Sequence, residues 1–204
     1  MKNAIIIGCL GQDGLILTNL LLKKKFNVYG ISKNHIFLNN KKKESFSIYS
    51  IPKIKNLLIK TKPLFIFYLA GYKHSSEELK NIKTDILEES YKTNVTGYKN
   101  FLNLIMKLNY KTKIFYACSS HIYGPQKVNR RINLSTPLNP ISPYGITKTY
   151  GYLLGKYYRN RYSLKIYTGI FCNHESELSS DKYILSKIIN KSISLRLNKI
   201  KKIE

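Results

Sequence analysis

The chain has 204 residues, 43% of them hydrophobic, which is enough for one good-sized globular domain with a real core. Its 35 Lys and Arg residues against 11 Asp and Glu give a formal net charge of +24. Lysines outnumber arginines and are scattered along the whole length, whereas nucleic-acid-binding proteins usually show an arginine-rich face or a binding motif. We therefore expect nucleic acid not to be the main partner, although the charge favours phosphorylated ligands.

Cysteine usage and hydropathy indicate a cytoplasmic location. Cys9, Cys118 and Cys172 lie in apolar, strand-like stretches, and an odd number without paired spacing argues for a reducing compartment. The N-terminal apolar run is interrupted by glycines and an aspartate, so it predicts neither a signal peptide nor a membrane span. The four histidines show no metal-ligand spacing, and no metal site is predicted.

The first thirty or so residues carry a nucleotide-binding pattern. An apolar strand at 4–7 meets a glycine-rich turn at 8–14, followed by a helical stretch at 15–23 and a second strand at 27–31. In a dinucleotide-binding unit, one glycine makes the turn, one lets the backbone approach a pyrophosphate, and one lets the helix pack on the strand. The helix N-terminus then offers N–H groups to the phosphates. The alternative is a βαβ unit whose glycines serve only to turn the chain.

The residues after the second strand bear on the choice of cofactor. The end of this strand is where an adenosine ribose would lie, and an acidic residue there favours a free 2′-hydroxyl. Here Ser32 and Lys33 occupy that position, which favours a 2′-phosphate and hence NADP over NAD. The alternative is a solvated loop charge, since a lysine-rich loop follows at 39–43.

The rest of the chain continues to alternate strands and helices. Further strands are predicted at 46–51, 63–71, 113–118 and 164–171. Helices are predicted at 52–62, 75–89, 94–108, 144–162 and 183–197, the fourth with Ser142 as N-cap and Pro143 at its first position. This alternation predicts an α/β fold with a doubly wound, Rossmann-like parallel sheet.

Tyr144 and Lys148 form the most promising chemical pair. They are four residues apart on a predicted helix and therefore share a face. A tyrosine must lose about three pKa units to act as a base at pH 7, which is roughly 4 kcal/mol that a lysine charge helps to supply. The same spacing recurs elsewhere in the chain, but only this pair starts a helix that follows the Ser119-Ser120 strand end.

Six segments together resemble a known family. The segments are Gly8-Cys9-Leu10-Gly11-Gln12-Asp13-Gly14, Leu69-Ala70-Gly71-Tyr72-Lys73-His74, Asn94-Val95-Thr96-Gly97, Ser119-Ser120-His121-Ile122-Tyr123-Gly124, Ser142-Pro143-Tyr144-Gly145-Ile146-Thr147-Lys148 and Phe171-Cys172-Asn173-His174-Glu175-Ser176. The Gly-Gln-Asp-Gly part of the first segment and the Asn-His-Glu-Ser part of the last are the most specific. On these six segments the chain resembles the extended short-chain dehydrogenase/reductases, and within that group the GDP-mannose 4,6-dehydratases.

The resemblance covers essentially the whole chain, as the N-terminal part of a longer family pattern. It implies that residues 1–204 form one NADP-binding Rossmann-type domain, and that most of the small C-terminal substrate domain is absent. It also implies a nucleotide-sugar substrate, converted from GDP-mannose to GDP-4-keto-6-deoxymannose, and allows a homo-oligomer.

The family mechanism implies roles for individual residues. Tyr144 would remove the proton of the sugar 4-hydroxyl as hydride leaves carbon 4, and Ser119 would hydrogen-bond the same oxygen. Lys148 would hold the nicotinamide ribose. Water would then be lost across carbons 5 and 6, and the hydride would return to carbon 6. The implied cofactor-binding residues are Gly8, Gly11, Gln12, Asp13, Gly14, Lys33, Leu69, Ala70, Lys73, Tyr91, Tyr144, Lys148 and His174, and the substrate-binding residues are Ser119, Ser120 and Asn173.

His121 stands where the dehydratases carry the glutamate that serves as base and acid in the elimination. A neutral imidazole can accept a proton, with a reference pKa of about 6.5, so His121 is a candidate catalytic residue; it could also simply fill the pocket or cap the loop. Two alternatives therefore stay open. One is a nucleotide-sugar 4-keto reductase or 4-epimerase, which needs no glutamate, and the other is an inactive domain that binds a cofactor or a partner.

Overall fold

The computed structural model describes residues 2–32, 34–72, 85–126, 131–179 and 184–197. The chain divides into two compact units, Met1–Lys73 with Lys83–Cys172 and His74–Ile82 with Asn173–Glu204. The first unit contains the sheet and five helices, and the described part of the second contains one helix. The helices are α1 (Gln12–Lys23), α2 (Ile51–Thr61), α3 (Ile86–Tyr91), α4 (Gly97–Lys107), α5 (Pro143–Tyr162) and, in the second unit, α6 (Ile184–Arg196).

Seven strands form one sheet in the order β4-β3-β2-β1-β5-β6-β7. Strands β2, β1, β5, β6 and β7 are parallel to one another. Strands β3 and β4 extend the sheet beyond β2 by antiparallel pairing. The predicted doubly wound, Rossmann-like α/β sheet is confirmed. The strands are β1 (Lys2–Ile7), β2 (Phe26–Ser32), β3 (His35–Leu38), β4 (Lys41–Ser45), β5 (Phe65–Tyr68), β6 (Lys113–Ser119) and β7 (Ile166–Phe171).

The edge hairpin replaces a predicted loop. Residues 39–43 were expected to form a lysine-rich loop, but Asn39 and Asn40 make a turn between β3 and β4 with φ values of 47° and 67°. Asparagine tolerates this left-handed conformation, and two such residues fit a tight hairpin turn. The lysines that follow lie on the exposed edge strand β4, where charge discourages pairing with another sheet.

The predicted strand at 46–51 is also wrong. Phe46 is buried, but the backbone then turns: the Ser47 carbonyl accepts a hydrogen bond from the Ser50 N–H, and the Ser47 hydroxyl accepts one from the Tyr49 N–H. Ser hydroxyls often satisfy the backbone locally in this way, which competes with strand pairing. Phe46 and Ile48 therefore pack in the core from a connection that leads into α2, whereas Tyr49 and Ile51 of the same segment are exposed.

Most other predicted elements are observed with small shifts at their ends. The α5 helix begins as expected, because the Ser142 hydroxyl accepts a hydrogen bond from the Gly145 N–H at 3.0 Å. The predicted helix at 75–89 is confirmed only in α3, since residues 75–84 lie outside the described part of the chain. Among the described residues, no helix is long and apolar enough to cross a membrane.

The predicted helix at 94–108 begins with an unexpected π-helical turn, Lys92–Thr96, that runs directly into α4. Two strand tyrosines fix this turn: the Tyr68 hydroxyl donates to the Thr93 carbonyl at 2.6 Å, and the Tyr116 hydroxyl donates to the Asn94 carbonyl at 3.2 Å. Widened turns of this kind release carbonyls from the helical ladder and are frequent at functional sites. Side chains from β5 and β6 satisfy the carbonyls here.

Tyr98 gives a test of this core. Its hydroxyl is buried with no hydrogen-bond partner in the described part of the chain, and a methyl group on Gly155 would lie 3.0 Å from it. Tyr98→Phe should raise the free energy of unfolding by about 1 kcal/mol, because an unsatisfied buried hydroxyl is removed. Gly155→Ala should then be more favourable, by about 1 kcal/mol, in the Tyr98→Phe variant than in the parent, since the contact with the hydroxyl is gone there and the 3.3 Å contact with the Ile166 Cγ2 is common to both.

Urea unfolding of the parent, both single variants and the double variant measures this coupling. Additive changes in the free energy of unfolding would show that the Tyr98 hydroxyl and Gly155 do not compete for the same space.

Candidate functional site

Three chain segments meet at the carboxyl ends of adjacent parallel strands. The glycine turn follows β1, residues 69–71 follow β5, and Ser119 ends β6. Strand β1 has β2 on one side and β5 on the other, so the strand order reverses between β1 and β5. In open α/β sheets, the crevice outside the strand ends at such a reversal is where ligands bind.

The glycines of the first turn take distinct positions. Gly8 adopts a φ of 94°, and its N–H donates to the Ile31 carbonyl at 2.7 Å, which ties the turn to β2. A methyl group on Gly14 would lie 2.7 Å from the Cys9 Cα and would overlap the Gly8 carbonyl, so α1 packs directly on the turn. Gly11 is the exposed N-cap of α1 and supplies no side-chain capping hydrogen bond.

Gln12 and Asp13 form the first turn of α1, so the helix begins three residues before its predicted start at residue 15. On the neighbouring strand, the Leu69 N–H donates to the Ile7 carbonyl at 2.9 Å. A methyl group on Gly8 would lie 2.8 Å from the Ala70 nitrogen. The structure therefore brings the predicted cofactor-binding residues of the glycine turn and of residues 69–70 against each other.

The close packing of Gly14 gives a stability prediction with an internal control. Gly14→Ala should lower the free energy of unfolding by about 2 kcal/mol or more, because the added methyl group would meet backbone atoms of Gly8 and Cys9, which cannot move aside as a flexible side chain could. Gly11→Ala should cost less than about 1 kcal/mol, since its methyl would meet only the Gly8 carbonyl at an ordinary 3.4 Å. Thermal unfolding of both variants makes the comparison; equal losses would contradict the packing described for α1.

Lys148 is the central charge of the site. It is 1% exposed, and its Nζ donates to the Ala117 carbonyl at 2.8 Å and to the Ala70 carbonyl at 3.3 Å. Ala117 lies near the end of β6 and Ala70 lies just after β5, so one side chain from α5 joins the ends of two strands. Burial lowers the pKa of Lys148 from 10.5 to about 8, while the Cys118 thiol opposes that shift.

Tyr144 lies beside this lysine on α5, as the four-residue spacing predicts. The Lys148 Nζ is 5.6 Å from the centre of the Tyr144 ring. A methyl group on Gly71 would touch both side chains, 3.3 Å from the Lys148 Nζ and 3.6 Å from the Tyr144 Cε2. The bare backbone at Gly71 therefore leaves room next to the tyrosine–lysine pair.

His121 and Ser119 complete the predicted catalytic set. The His121 imidazole meets the Tyr144 ring edge to face, with ring centres 5.6 Å apart and planes at 86°. The Ser119 hydroxyl accepts a hydrogen bond from the His121 N–H at 3.3 Å and so caps the short helical turn Ser120–Tyr123. Because that bond uses the serine oxygen as acceptor, the serine O–H can still donate to a ligand oxygen.

Asn94 belongs to the site although the sequence analysis assigned it no role. It is fully buried in the π-helical turn; its Oδ1 accepts from the Tyr72 N–H at 3.2 Å, and its Nδ2 donates to the Thr147 hydroxyl at 2.9 Å. Thr147 lies next to Lys148 in sequence, so Asn94 fixes the α5 backbone against the end of β5. The available signal was the segment Asn94-Val95-Thr96-Gly97, which is one of the six that carry the family resemblance.

Other predicted site residues are placed elsewhere or not described. Lys33 and Lys73 lie outside the described residues. Asn173 and His174 are exposed at the start of the described part of the second unit. Tyr91, on α3, packs its ring edge-on against Tyr150 of α5 at 5.7 Å. Their roles, and that of Ser120 in the turn after β6, stay predictions.

The strand order, the glycine turn and the tyrosine–lysine pair are those of a Rossmann-type domain of the short-chain dehydrogenase/reductase class. The sequence matches the GDP-mannose 4,6 dehydratase family over residues 5–204. The chain therefore belongs to the GDP-mannose 4,6-dehydratase family.

Individual relatives agree with this assignment. GDP-mannose 4,6 dehydratase 2 of Caenorhabditis elegans is 30% identical over 223 residues, an alignment that covers 100% of this chain and 57% of that protein. The GDP-mannose 4,6 dehydratase of Drosophila melanogaster is 28% identical over 208 residues, covering 92% of this chain and 51% of that protein. The chain thus spans little more than half the length of these curated relatives.

Solved structures share the fold at lower sequence identity. A dTDP-glucose 4,6-dehydratase from Bacillus anthracis, in complex with NAD, superposes with a TM-score of 0.77 at 17% identity, covering 95% of this chain and 62% of that one. The protein RMD from Pseudomonas aeruginosa, complexed with NADPH, also gives a TM-score of 0.77, at 14% identity, covering 98% of this chain and 64% of that one.

Proposed function

We propose that this chain binds NADP(H) at the strand ends and carries the catalytic half of a GDP-mannose 4,6-dehydratase. The observation that carries the proposal is the convergence of the glycine turn with the buried Lys148 and its neighbour Tyr144 at one strand-order reversal. Membership of the family supports the substrate, and the complexes of similar structures with NAD or NADPH support a nicotinamide cofactor.

The residues at the turn fit a dinucleotide. Gly11, the N-cap of α1, makes no side-chain capping hydrogen bond, and backbone N–H groups at a helix start favour a phosphate. Gly71 leaves the space beside Lys148 and Tyr144 open to a flat ring or a ribose. The preference for NADP over NAD rests on Ser32 and Lys33 at the end of β2 and on the chain's positive charge.

The proposed chemistry divides among the chain's own residues. A bound nicotinamide supplies a hydride acceptor and, later, a hydride donor. Tyr144 takes the proton of the sugar 4-hydroxyl, and the neighbouring Lys148 charge favours the phenolate that results. The Ser119 O–H donates to the same oxygen and orients it. His121, edge-on to Tyr144, is placed to move the proton when water is lost across carbons 5 and 6.

Two measurements test this proposal. Titration calorimetry with NADP⁺ and with NAD⁺ should show binding, tighter for NADP⁺; no heat with either nucleotide, oxidised or reduced, would overturn the cofactor assignment. Mass spectrometry after incubation with GDP-mannose should show a product lighter by one water. Binding without water loss would favour the 4-keto reductase or 4-epimerase alternative, or an inactive cofactor-binding domain.

We infer that a second copy of the chain covers one face of α5. Four side chains along that helix are between 44% and 53% exposed and follow a helical repeat: Ile146, Tyr150, Leu153 and Tyr157. Helix α3 packs beside the N-terminal half of this face, where the Tyr91 ring meets Tyr150 edge-on at 5.7 Å. Antiparallel pairing of two copies about a twofold axis lays this stripe on itself and removes its apolar side chains from water.

Sedimentation analysis tests the self-association. The parent should be a dimer and Leu153→Glu a monomer, because a charge would then be buried in the apolar stripe. Leu134→Glu is the control, since Leu134 is 88% exposed in the loop before α5. A monomeric parent, or a Leu153→Glu dimer, would overturn the inference.

A further inference from the structure

Lys148 is a buried cation that has no buried anion beside it among the described residues. Within the described residues, the salt bridges are those of Lys92 with Glu88 and Glu89, and none involves Lys148. Two backbone carbonyls accept from its Nζ, which satisfies hydrogen bonds but supplies only dipoles against a full charge. Something else in its surroundings has to stabilise the ammonium form.

The face of the Tyr116 ring lies closest to this charge among the aromatic rings. The Lys148 Nζ is 5.1 Å from the centre of the Tyr116 ring and 5.6 Å from that of Tyr144. Both distances are within the range of a cation–π attraction, which is stronger away from water. The remaining titratable group beside Lys148 is the Cys118 thiol, whose pKa burial raises above its usual 9.0, so it is uncharged at pH 7.

The Tyr116 ring is also held rigidly. Its hydroxyl donates to the Asn94 carbonyl at 3.2 Å, and its ring stacks on that of Tyr98 with centres 4.4 Å apart and planes at 27°. Gly151 of α5 packs directly against the phenol, where a methyl group would overlap it. A ring fixed on three sides can hold a flexible lysine side chain in one place.

We propose that Tyr116 is a positioning residue of the site: the face of its ring holds the Lys148 ammonium in the role that a carboxylate often takes beside a buried lysine. This inference rests on the part assigned to Lys148 in the proposed function. Tyr116 touches neither cofactor nor substrate in this scheme; it acts through the charge and the location of Lys148.

Tyr68 provides a matched control. It is the cross-strand partner of Tyr116 in the β5–β6 register, is equally buried, and donates its hydroxyl to the preceding carbonyl of the same π-helical turn, that of Thr93. Its ring has no described contact with Lys148. Equivalent substitutions at Tyr68 and Tyr116 therefore disturb the same core, but only one of them changes the surroundings of the charge.

The test follows the titration of Lys148 by NMR in protein carrying isotope-labelled lysine, with the resonance assigned by its absence from Lys148→Arg. The parent midpoint should lie at about 8. It should stay nearly constant in Tyr116→Phe, which keeps the ring, and fall by about one pH unit in Tyr116→Leu. Tyr68→Leu should leave it unchanged.

A fluorinated phenylalanine placed at position 116 covers the case in which Tyr116→Leu does not fold. It keeps the ring's shape but weakens its negative face, so the Lys148 midpoint should fall below that of Tyr116→Phe. A midpoint that is the same with phenylalanine and its fluorinated form, or that moves equally for both tyrosine sites, would overturn the proposal. The titration uses no cofactor or substrate, so its outcome is independent of whether the protein binds nicotinamide.

Discussion

Replacing Lys148 by methionine should make the protein more stable at pH 7, by about 2 kcal/mol, while it removes the proposed chemistry. The fall in the Lys148 pKa from 10.5 to about 8 corresponds to about 3 kcal/mol, at 1.36 kcal/mol per unit. Loss of the hydrogen bonds to the Ala70 and Ala117 carbonyls offsets about 1 kcal/mol of that gain. Methionine has a similar length and carries no charge into the core.

The pH dependence fixes the cause of this stabilisation. Below pH 8 the lysine is protonated in both the folded and the unfolded chain, so the full cost of burying the charge is present. Between about 8 and 10.5 the folded chain releases the proton before the unfolded chain does, and the parent gains stability as the pH rises. The advantage of Lys148→Met should therefore shrink across that range.

Denaturant unfolding at several pH values measures the effect, with Lys107→Met as the control. Lys107 is exposed at the end of α4, so its replacement should change the free energy of unfolding by less than about 0.5 kcal/mol. A Lys148→Met protein that is less stable than the parent at pH 7 would show that the ammonium is well compensated in the folded state.

His121→Glu should raise the rate of water loss from GDP-mannose by about 100-fold, which is the lower range of general acid–base catalysis. The resemblance places a glutamate at this position in the dehydratases, and the structure sets the His121 ring 5.6 Å from that of Tyr144. A carboxylate there would meet the same substrate region as the tyrosine. Binding of NADP(H) should change little, because His121 is not among the cofactor-binding residues.

The comparison needs a control for the added negative charge. Lys107→Glu adds negative charge at the exposed end of α4, away from the carboxyl ends of the strands, and should leave the rate of water loss unchanged. Product formation is followed by mass spectrometry with the enzyme saturated in NADP⁺. An unchanged rate in His121→Glu would show that the imidazole is not what limits dehydration by this chain.

The sequence predicted the first strand–turn–helix unit and the start of α5 because both rest on local rules. A glycine turn after an apolar strand specifies the start of the next helix from residues close in sequence, and so does a serine before a proline. The Asn39-Asn40 turn is equally local, and it was missed because the lysines beside it suggested a solvated loop. The strand predicted at 46–51 failed because serine hydroxyls satisfied the backbone there.

The interior of the site could not be predicted in the same way. Lys148 donates to a carbonyl 78 residues earlier in the chain, and Asn94 bonds a threonine hydroxyl 53 residues later. Such contacts depend on which strands become neighbours, which no local pattern specifies. The spacing predicted that Tyr144 and Lys148 share a helix face, but only the fold shows that the lysine is buried between two strand ends.

The most direct test of the proposed function uses GDP-mannose with deuterium at carbon 4, incubated with the protein and NADP⁺. Mass spectrometry and NMR should find a product lighter by one water, with the deuterium at carbon 6, because the same hydride leaves one carbon and returns to the other within one site. Recovery of intact substrate by a protein that binds NADP⁺, or a product in which carbon 6 carries no deuterium, would contradict the assignment of this site to 4,6-dehydration.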